Sequence, residues 1–127
     1  MSSRRILLVE DDPDIRADLA EILVEEGFAV DTAAHGKVAL EHMKSGPLPD
    51  LVLLDLMMPI MDGFQFRRAQ LADPYLATVP VLVLSGAADM LAHVHTIGAH
   101  GVVRKPFKVD QILAAIMRAL PPEAVAS

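Results

Sequence analysis

The 127-residue chain contains no cysteine, and only 4% of its residues are aromatic. The absence of cysteine excludes disulfide bonds, thiolate zinc sites and cysteine nucleophiles. No apolar run approaches the roughly 20 residues that a membrane-spanning helix needs. The amino terminus, MSSRRILLVEDD, reaches acidic residues after a short apolar stretch, unlike a signal peptide. We therefore predict a soluble, cytoplasmic protein that makes no contact with a membrane.

Basic residues are few and scattered. Lys and Arg number 11 against 17 Asp and Glu, which gives a formal net charge of −6. No basic cluster indicates that this domain itself binds nucleic acid. Apolar residues make up 53% of the chain, and 127 residues are enough for one domain with a sizeable core. We predict a single domain over residues 1–120 and a tail over residues 121–127.

Short β-rich segments alternate with helical segments along the chain. We predict five strands, at residues 5–9, 28–32, 51–54, 81–84 and 102–104. Three of them are almost entirely apolar, as expected when helices cover both faces of a parallel sheet. The repeated strand–helix units favour a flavodoxin-like, doubly wound α/β fold with strand order 2-1-3-4-5 and five flanking helices. In that fold the functional site lies where the carboxyl ends of the strands meet.

Residues that start and stop helices support this division. For the first helix we predict Asp12 as the N-cap, Pro13 as the first helical residue and Gly27 as the stop. The other helices are predicted at residues 35–45, 63–73, 87–97 and 109–120. The motif HGKVAL at the start of the second helix contains Gly-Lys but lacks the other residues of a phosphate-binding loop. We predict an ordinary helix there.

One charged residue interrupts the apolar part of the stretch PDLVLLDLMMPIMDG. Asp55 lies within a run of leucine, valine and methionine that is otherwise typical of a strand buried on both faces. An ionised carboxylate in such surroundings costs several kcal/mol unless it is paired, hydrated or bound to a metal. Asp55 is therefore a candidate functional residue.

Polar residues follow four of the predicted strands and would meet at one edge of the sheet. They are Glu10 and Asp11 after the first strand, Asp55 after the third, Ser85 after the fourth and Lys105 after the fifth. Clustered carboxylates are suited to Mg²⁺, and a lysine and a hydroxyl stabilise phosphoryl oxygens. A carboxylate in line with phosphorus can form an aspartyl phosphate. Each residue alone fits a cap, a turn or a solvated side chain, but their joint placement favours phosphoryl transfer.

The segments ILLVEDDPDIR, DLVLLDLMMPIMDG, VPVLVLSG and GVVRKPF resemble the receiver domain of two-component response regulators. They occur in the family's order and extend over nearly the whole chain. The resemblance implies that Asp55 is the phosphoacceptor and a ligand of Mg²⁺. It also implies that Asp11 binds the metal directly, Glu10 through water and Met57 through its backbone carbonyl.

The resemblance assigns two further groups to the phosphoryl oxygens. Ser85 would donate a hydrogen bond to them, and Lys105, followed by a cis bond to Pro106, would pair with them. One position departs from the family pattern, because Val102 stands where the family often has Tyr or Phe. Val102 is small and stiff about χ1, so we expect a smaller conformational response at this switch position.

The lifetime of the phosphoryl group follows from two other positions. In resembling domains, the residues two beyond the phosphoacceptor and two beyond the hydroxyl help to position the hydrolytic water. Here they are Met57 and Ala87, whose side chains cannot orient water. The resemblance therefore predicts slow hydrolysis.

The resemblance implies that a histidine kinase or a histidine phosphotransfer protein donates the phosphoryl group. The chain would act as a self-phosphorylating switch and not as a turnover enzyme. We expect the signal to pass to a downstream effector protein, or to a domain absent from this chain. The predicted helix at 87–97 carries Asp89 as its single charged residue, which makes it a candidate contact surface for a partner or a second copy.

Two alternatives remain open from the sequence. One is a receiver-like interaction module that works without phosphorylation. The other is a Mg²⁺-dependent phosphatase with an aspartate nucleophile. Phosphatases of the haloacid-dehalogenase-like class place Asp-x-Asp after their first strand, whereas Asp55 ends the third predicted strand and the second residue after it is Met57.

Overall fold

The computed structural model describes residues 4–86 and 98–121 and contains one five-stranded parallel sheet. The strands are β1 (Arg5–Val9), β2 (Ala29–Ala33), β3 (Leu51–Asp55), β4 (Val81–Ser85) and β5 (Gly101–Arg104). The helices are α1 (Pro13–Glu25), α2 (Gly36–Ser45), α3 (Gly63–Ala72) and the C-terminal helix (Val109–Ala119), with a short 3₁₀ helix at Leu76–Thr78. The strand order is β2-β1-β3-β4-β5. The predicted fold class and strand order are confirmed.

The sheet has a hydrophobic core on each face because alternate side chains of a strand point to opposite sides. One core combines residues of β1, β3 and β4 with α2 and α3: it includes Leu7, Val9, Val52, Leu54, Val81, Val83, Leu40, Met43 and Phe66. The other combines the intervening strand residues with α1 and the C-terminal helix: it includes Ile6, Leu8, Leu51, Leu53, Leu82, Leu84, Leu19, Leu23, Ile112 and Ile116. The central strands are thus buried on both faces, as their apolar sequences predict.

Strand register brings the carboxyl ends to one edge. Val9 of β1 lies opposite Leu54 of β3, so the residues that follow β1 stand beside the end of β3. Asp55 pairs with Leu84, and Ser85 pairs with Arg104. All four strand ends that carry candidate residues therefore reach the same side of the sheet.

The ends of α1 confirm their predicted residues. The Asp12 carboxylate accepts hydrogen bonds from the N–H groups of Asp14 at 2.9 Å and Ile15 at 3.2 Å. Pro13 occupies the first helical position, where a missing N–H costs nothing. Gly27 follows the helix with a φ of +100°, a left-handed conformation that favours glycine. The Asp12 cap fixes the chain directly after the acidic residues of β1.

Several predicted boundaries were wrong by one residue. The strand β2 begins and ends one residue late, β5 begins one residue early, and β3 and β4 each continue by one residue, since the ladder extends through Asp55 and Ser85. His35 precedes α2 in an extended conformation and is not its first residue. The C-terminal helix ends at Ala119 because Leu120, which precedes a proline, is extended. The helix predicted at 87–97 lies outside the described residues.

Among the helices of the described ranges, none combines the length and the apolar character required to cross a bilayer. The Lys105–Pro106 peptide bond is cis, as predicted.

Candidate functional site

The candidate site lies at the carboxyl edge of the sheet. Glu10 and Asp11 directly follow β1, Asp55 ends β3, Ser85 ends β4, and Lys105 directly follows β5. These strands are consecutive neighbours in the sheet. The fold therefore brings together strand ends that are up to 95 residues apart in sequence, the separation of Glu10 and Lys105.

Three carboxylates form the acidic part of this site. One carboxylate oxygen from each of Glu10, Asp11 and Asp55 lies within 4.8 Å of the other two. Glu10 and Asp55 are buried, whereas Asp11 is half-buried. Carboxylates this close repel one another strongly when both are ionised, because the effective dielectric constant of a buried site is lower than that of water. A hard divalent cation with oxygen ligands relieves that repulsion.

The ammonium group of Lys105 lies among the carboxylates. Its Nζ forms an ion pair with Glu10 and lies 3.5 Å from Oδ2 of Asp55. Burial alone would lower the pKa of Lys105, but the contacts with Glu10 and Asp55 raise it above its ordinary value. The lysine is therefore charged at neutral pH. Its backbone N–H donates to the carbonyl of Ser85 at 2.8 Å, which anchors the start of the loop after β5.

Asp55 is the most perturbed acid of the site. Its side chain is only 5% exposed, and its Oδ1 accepts a hydrogen bond from the N–H of Met57 at 3.2 Å. Burial, reinforced by the neighbouring carboxyl group of Glu10, raises the pKa of Asp55 from 3.8 to about 8. Lys105 and the Met57 N–H act in the opposite direction but are outweighed. A cation beside Asp55 would favour its ionised form, the form that is nucleophilic.

The fit to a divalent metal can be judged from the donor set. All three candidate ligands are carboxylates, and no thiol or imidazole lies in this group. When ionised, they carry three negative charges against the single positive charge of Lys105, so a divalent cation would balance the site. Mg²⁺ prefers oxygen ligands, and every candidate ligand here is an oxygen. The residues present therefore fit Mg²⁺.

Arg16 is a site residue that sequence reasoning missed. Its Nη1 donates to the backbone carbonyl of Glu10 at 2.8 Å and to that of Asp11 at 3.4 Å. The Asp12 N–H, in turn, lies 3.4 Å from Oε2 of Glu10. These contacts hold residues 10–12, here called the acidic loop, in place. In the sequence, Arg16 is the only arginine of α1 and lies one turn after the acidic residues. Single arginines are common on the solvent-exposed sides of helices, so its position did not indicate this contact.

The loop from β3 to α3 carries Met57 past the acidic cluster. Met57 is exposed, and its N–H contacts Asp55. The loop closes where the N–H of Gly63 donates to the carbonyl of Leu56 at 3.0 Å. A Cβ on Gly63 would lie 2.7 Å from the Cα of Leu56 and 2.8 Å from the carbonyl oxygen of Asp55. Glycine here lets α3 begin directly against the backbone of the candidate phosphoacceptor.

The two residues predicted to take part in switching lie on β4 and β5. Ser85 is 1% exposed at the end of β4. Val102 is 40% exposed on β5, which is an edge strand. Ala87 and Asp89, which entered the predictions on hydrolysis and on a contact surface, lie outside the described residues.

A family model described as the response regulator receiver domain matches residues 6–117. The chain belongs to the response regulator receiver domain family. Receiver domains act as phosphorylation switches, and phosphorylation on an aspartate is inherent to the family.

Individual relatives agree with this assignment. This receiver domain is 34% identical over 122 residues to sporulation initiation phosphotransferase F of Bacillus subtilis (strain 168), covering 95% of this chain and 97% of the relative. It is 40% identical over 121 residues to the alkaline phosphatase synthesis transcriptional regulatory protein SphR of Synechococcus elongatus. That match covers 87% of this chain but only 46% of SphR, so the chain spans about half of that relative's length.

A solved structure gives the same fold. The response regulator protein TrrA of Thermotoga maritima, in complex with Mg²⁺-BeF, superposes with a TM-score of 0.82 at 32% sequence identity. The match covers 92% of this chain and 99% of TrrA.

Proposed function

We propose that this receiver domain accepts a phosphoryl group on Asp55 from a histidine kinase or a histidine phosphotransfer protein. The observation that carries the proposal is the position of the Asp55 carboxylate. It lies within 4.8 Å of carboxylate oxygens of Glu10 and Asp11 and 3.5 Å from the ammonium group of Lys105. This arrangement supplies a nucleophile, a cation site and a positive charge at one strand end.

The proposed reaction is a phosphoryl transfer between two side chains. An oxygen of the ionised Asp55 carboxylate attacks the phosphorus of a phosphohistidine. The new P–O bond forms as the P–N bond breaks, and the electron pair of the broken bond stays on the imidazole nitrogen. Lys105 neutralises charge on the phosphoryl oxygens, and the Ser85 hydroxyl donates a hydrogen bond to one of them. The domain is then a switch that is itself modified, without turnover of a free substrate.

The metal of this reaction would be Mg²⁺. We propose that Asp11 and Asp55 bind it directly, Glu10 through water and Met57 through its backbone carbonyl. When bound, Mg²⁺ neutralises charge on the transferring phosphoryl group. The ion pair with Lys105 and the proximity of the Asp12 N–H hold the Glu10 side chain in place.

We propose that the phosphorylated domain signals by changing its contacts with an effector protein. The net charge of −6 argues against direct contact with nucleic acid or with an anionic membrane surface. Val102 provides no aromatic ring to move at the switch position, so we expect a modest change on β5. A contact surface on the 87–97 segment, including one for a second copy, stays a prediction because that segment lies outside the described residues.

Incubation with acetyl phosphate and Mg²⁺ tests the proposal. The intact mass of the wild-type protein should rise by one phosphoryl group, and chelation of the metal should prevent the rise. Asp55→Asn should abolish it. Asp73→Asn is a matched control, because Asp73 follows the far end of α3 and an asparagine can still accept the hydrogen bond from Tyr75 N–H.

Three outcomes would contradict the proposal. Equal labelling of Asp55→Asn and wild type would place the phosphoryl group elsewhere, and no labelling of the wild type would favour the interaction module that works without phosphate. Steady release of phosphate from added phosphomonoesters would indicate the phosphatase alternative.

A further inference from the structure

The start of α2 contacts the loop between β3 and α3 at a glycine. Gly36 is buried, and its N–H donates to the carbonyl of Met61 at 3.2 Å. A Cβ on Gly36 would lie 2.8 Å from Cγ, 3.0 Å from the carbonyl oxygen and 3.0 Å from the sulfur of Met61. Only glycine fits this contact without displacing its neighbour. The requirement is one of space, since the φ of Gly36 is not positive.

The same loop contains a strained turn. Ile60 has a φ of +70°, which is rare for a β-branched residue. The N–H of Met61 donates to the carbonyl of Pro59 at 2.7 Å, so the chain reverses within three residues as a γ-turn. Such a conformation is energetically costly and persists only where surrounding contacts enforce it. The Ile60 side chain is 75% exposed, so its own packing does not supply that enforcement.

The hydrogen bond from the Gly36 N–H reaches the residue directly after this turn. Met61 directly follows Ile60, and its carbonyl is the group that Gly36 holds. Three residues before Ile60, Met57 carries the N–H that contacts Asp55 and the carbonyl proposed to bind Mg²⁺. A shift of Met61 would therefore be passed through a short, already strained segment to the metal-binding backbone.

We propose that Gly36 is a positioning residue for the phosphorylation of Asp55. By lacking a side chain, it lets α2 hold the β3–α3 loop in the conformation that presents Met57 to the metal. Gly36 touches neither the metal nor the phosphoryl group and acts through Met61. The motif HGKVAL thus serves the phosphoryl site although it is no phosphate-binding loop. This inference rests on the function proposed above.

The test is Gly36→Ala, measured by Mg²⁺ affinity and by phosphorylation from acetyl phosphate. The loss of a group that orients a metal ligand typically weakens metal binding by roughly tenfold or more. We expect the dissociation constant for Mg²⁺ to rise by about tenfold. The phosphorylation rate should fall most at low Mg²⁺ and recover largely when Mg²⁺ saturates, which a general loss of folded protein would not produce. In the metal-free protein, amide NMR shifts should change at residues 55–62.

Gly46→Ala is the matched control at the other end of α2. A Cβ there would lie 3.6 Å from the carbonyl oxygen of His42, an ordinary contact. Its Mg²⁺ affinity and phosphorylation should equal those of the wild type. Adding Met61→Ala to Gly36→Ala removes the Cγ and sulfur atoms that clash and should restore part of the Mg²⁺ affinity, measured against Met61→Ala alone.

The outcomes separate this inference from the function on which it rests. If wild type is phosphorylated on Asp55 and Gly36→Ala matches Gly46→Ala in Mg²⁺ affinity, Gly36 has no positioning role although the proposed function stands. If wild type neither binds Mg²⁺ nor gains a phosphoryl group, both proposals are wrong. Should Gly36→Ala fail to fold, the variant that also carries Met61→Ala decides. A Mg²⁺ affinity of that double variant below that of Met61→Ala alone supports the positioning role, and an equal affinity contradicts it.

Discussion

Replacing Asp55 with asparagine should stabilise the metal-free protein. Asparagine keeps a carbonyl oxygen for the hydrogen bond from Met57 N–H but removes a negative charge from a crowded site. At the 4.8 Å limit and an effective dielectric constant of about 20, each of Glu10 and Asp11 repels an ionised Asp55 by about 3.5 kcal/mol. Lys105 at 3.5 Å attracts it by about 5 kcal/mol. The repulsions exceed the attraction by about 2 kcal/mol, and burial adds a further cost.

The effect has a defined dependence on pH. The pKa of Asp55 in the folded protein is about 8, above its ordinary value of 3.8, so the folded state binds this proton more tightly than the unfolded state does. The free energy of unfolding of the wild type should therefore fall, relative to Asp55→Asn, as pH rises from about 4 to about 8. The free energies of unfolding of wild type and Asp55→Asn should be similar at about pH 4 and should differ by a few kcal/mol at about pH 8.

Urea denaturation in the presence of a chelator measures this difference. Far-ultraviolet circular dichroism is the suitable signal, because the chain has no tryptophan and one tyrosine. Asp73→Asn should follow the wild type at every pH. Added Mg²⁺ should stabilise the wild type and Asp73→Asn far more than Asp55→Asn. A metal-free Asp55→Asn that is less stable than wild type at pH 8, or a difference that does not change with pH, would refute the electrostatic reasoning.

Two substitutions and one lifetime measurement probe the loops around the site. Arg16→Gln weakens the hydrogen bonds to the carbonyls of Glu10 and Asp11, so the dissociation constant for Mg²⁺, measured by calorimetry, should rise severalfold. An unchanged constant would show that the acidic loop does not need these hydrogen bonds. Ile60→Gly should raise the free energy of unfolding, measured by urea denaturation, by about 1 kcal/mol. Relief of about 1–3 kcal/mol of backbone strain exceeds the entropic cost of ordering a glycine. A lower free energy of unfolding would contradict the presence of strain. The phosphorylated protein should keep its phosphoryl group for many minutes by intact mass, because Met57 cannot orient a hydrolytic water, and a lifetime of seconds would contradict this.

The sequence was sufficient to predict that Glu10, Asp11, Asp55 and Lys105 come together, because these residues stand at strand ends. Asp55 was visible as a single charge in an apolar run, and the strand order followed from alternating strand and helix patterns. In a parallel sheet of this order, the end of β3 lies beside the residues that follow β1 and β4, and the residues that follow β5 lie one strand further on. The boundaries were less accurate: the polar residues Asp55 and Ser85 lie just beyond the predicted ranges 51–54 and 81–84, although backbone pairing continues through both.

Other contacts depend on three-dimensional packing and leave no local signal. The ion pair between Glu10 and Lys105 and the reach of Arg16 to the acidic loop require the folded arrangement of distant segments. The close approach that a Cβ on Gly36 would make involves Met61, which is 25 positions away, so HGKVAL indicated only a helix start. The positive φ of Ile60 contradicts its residue preference. Such a conflict appears only when the surrounding loop is known.

Locating the phosphoryl group within the chain tests the central claim most directly. After reaction with acetyl phosphate and Mg²⁺, borohydride reduces an aspartyl phosphate to homoserine, which marks the residue permanently. Trypsin should then release residues 45–67, a fragment that contains Asp50, Asp55 and Asp62. Fragment mass spectra should place homoserine at position 55 alone and only when Mg²⁺ was present. Homoserine at position 50 or 62, or a phosphoryl group that resists reduction on another residue, would contradict the assignment of Asp55 as the phosphoacceptor.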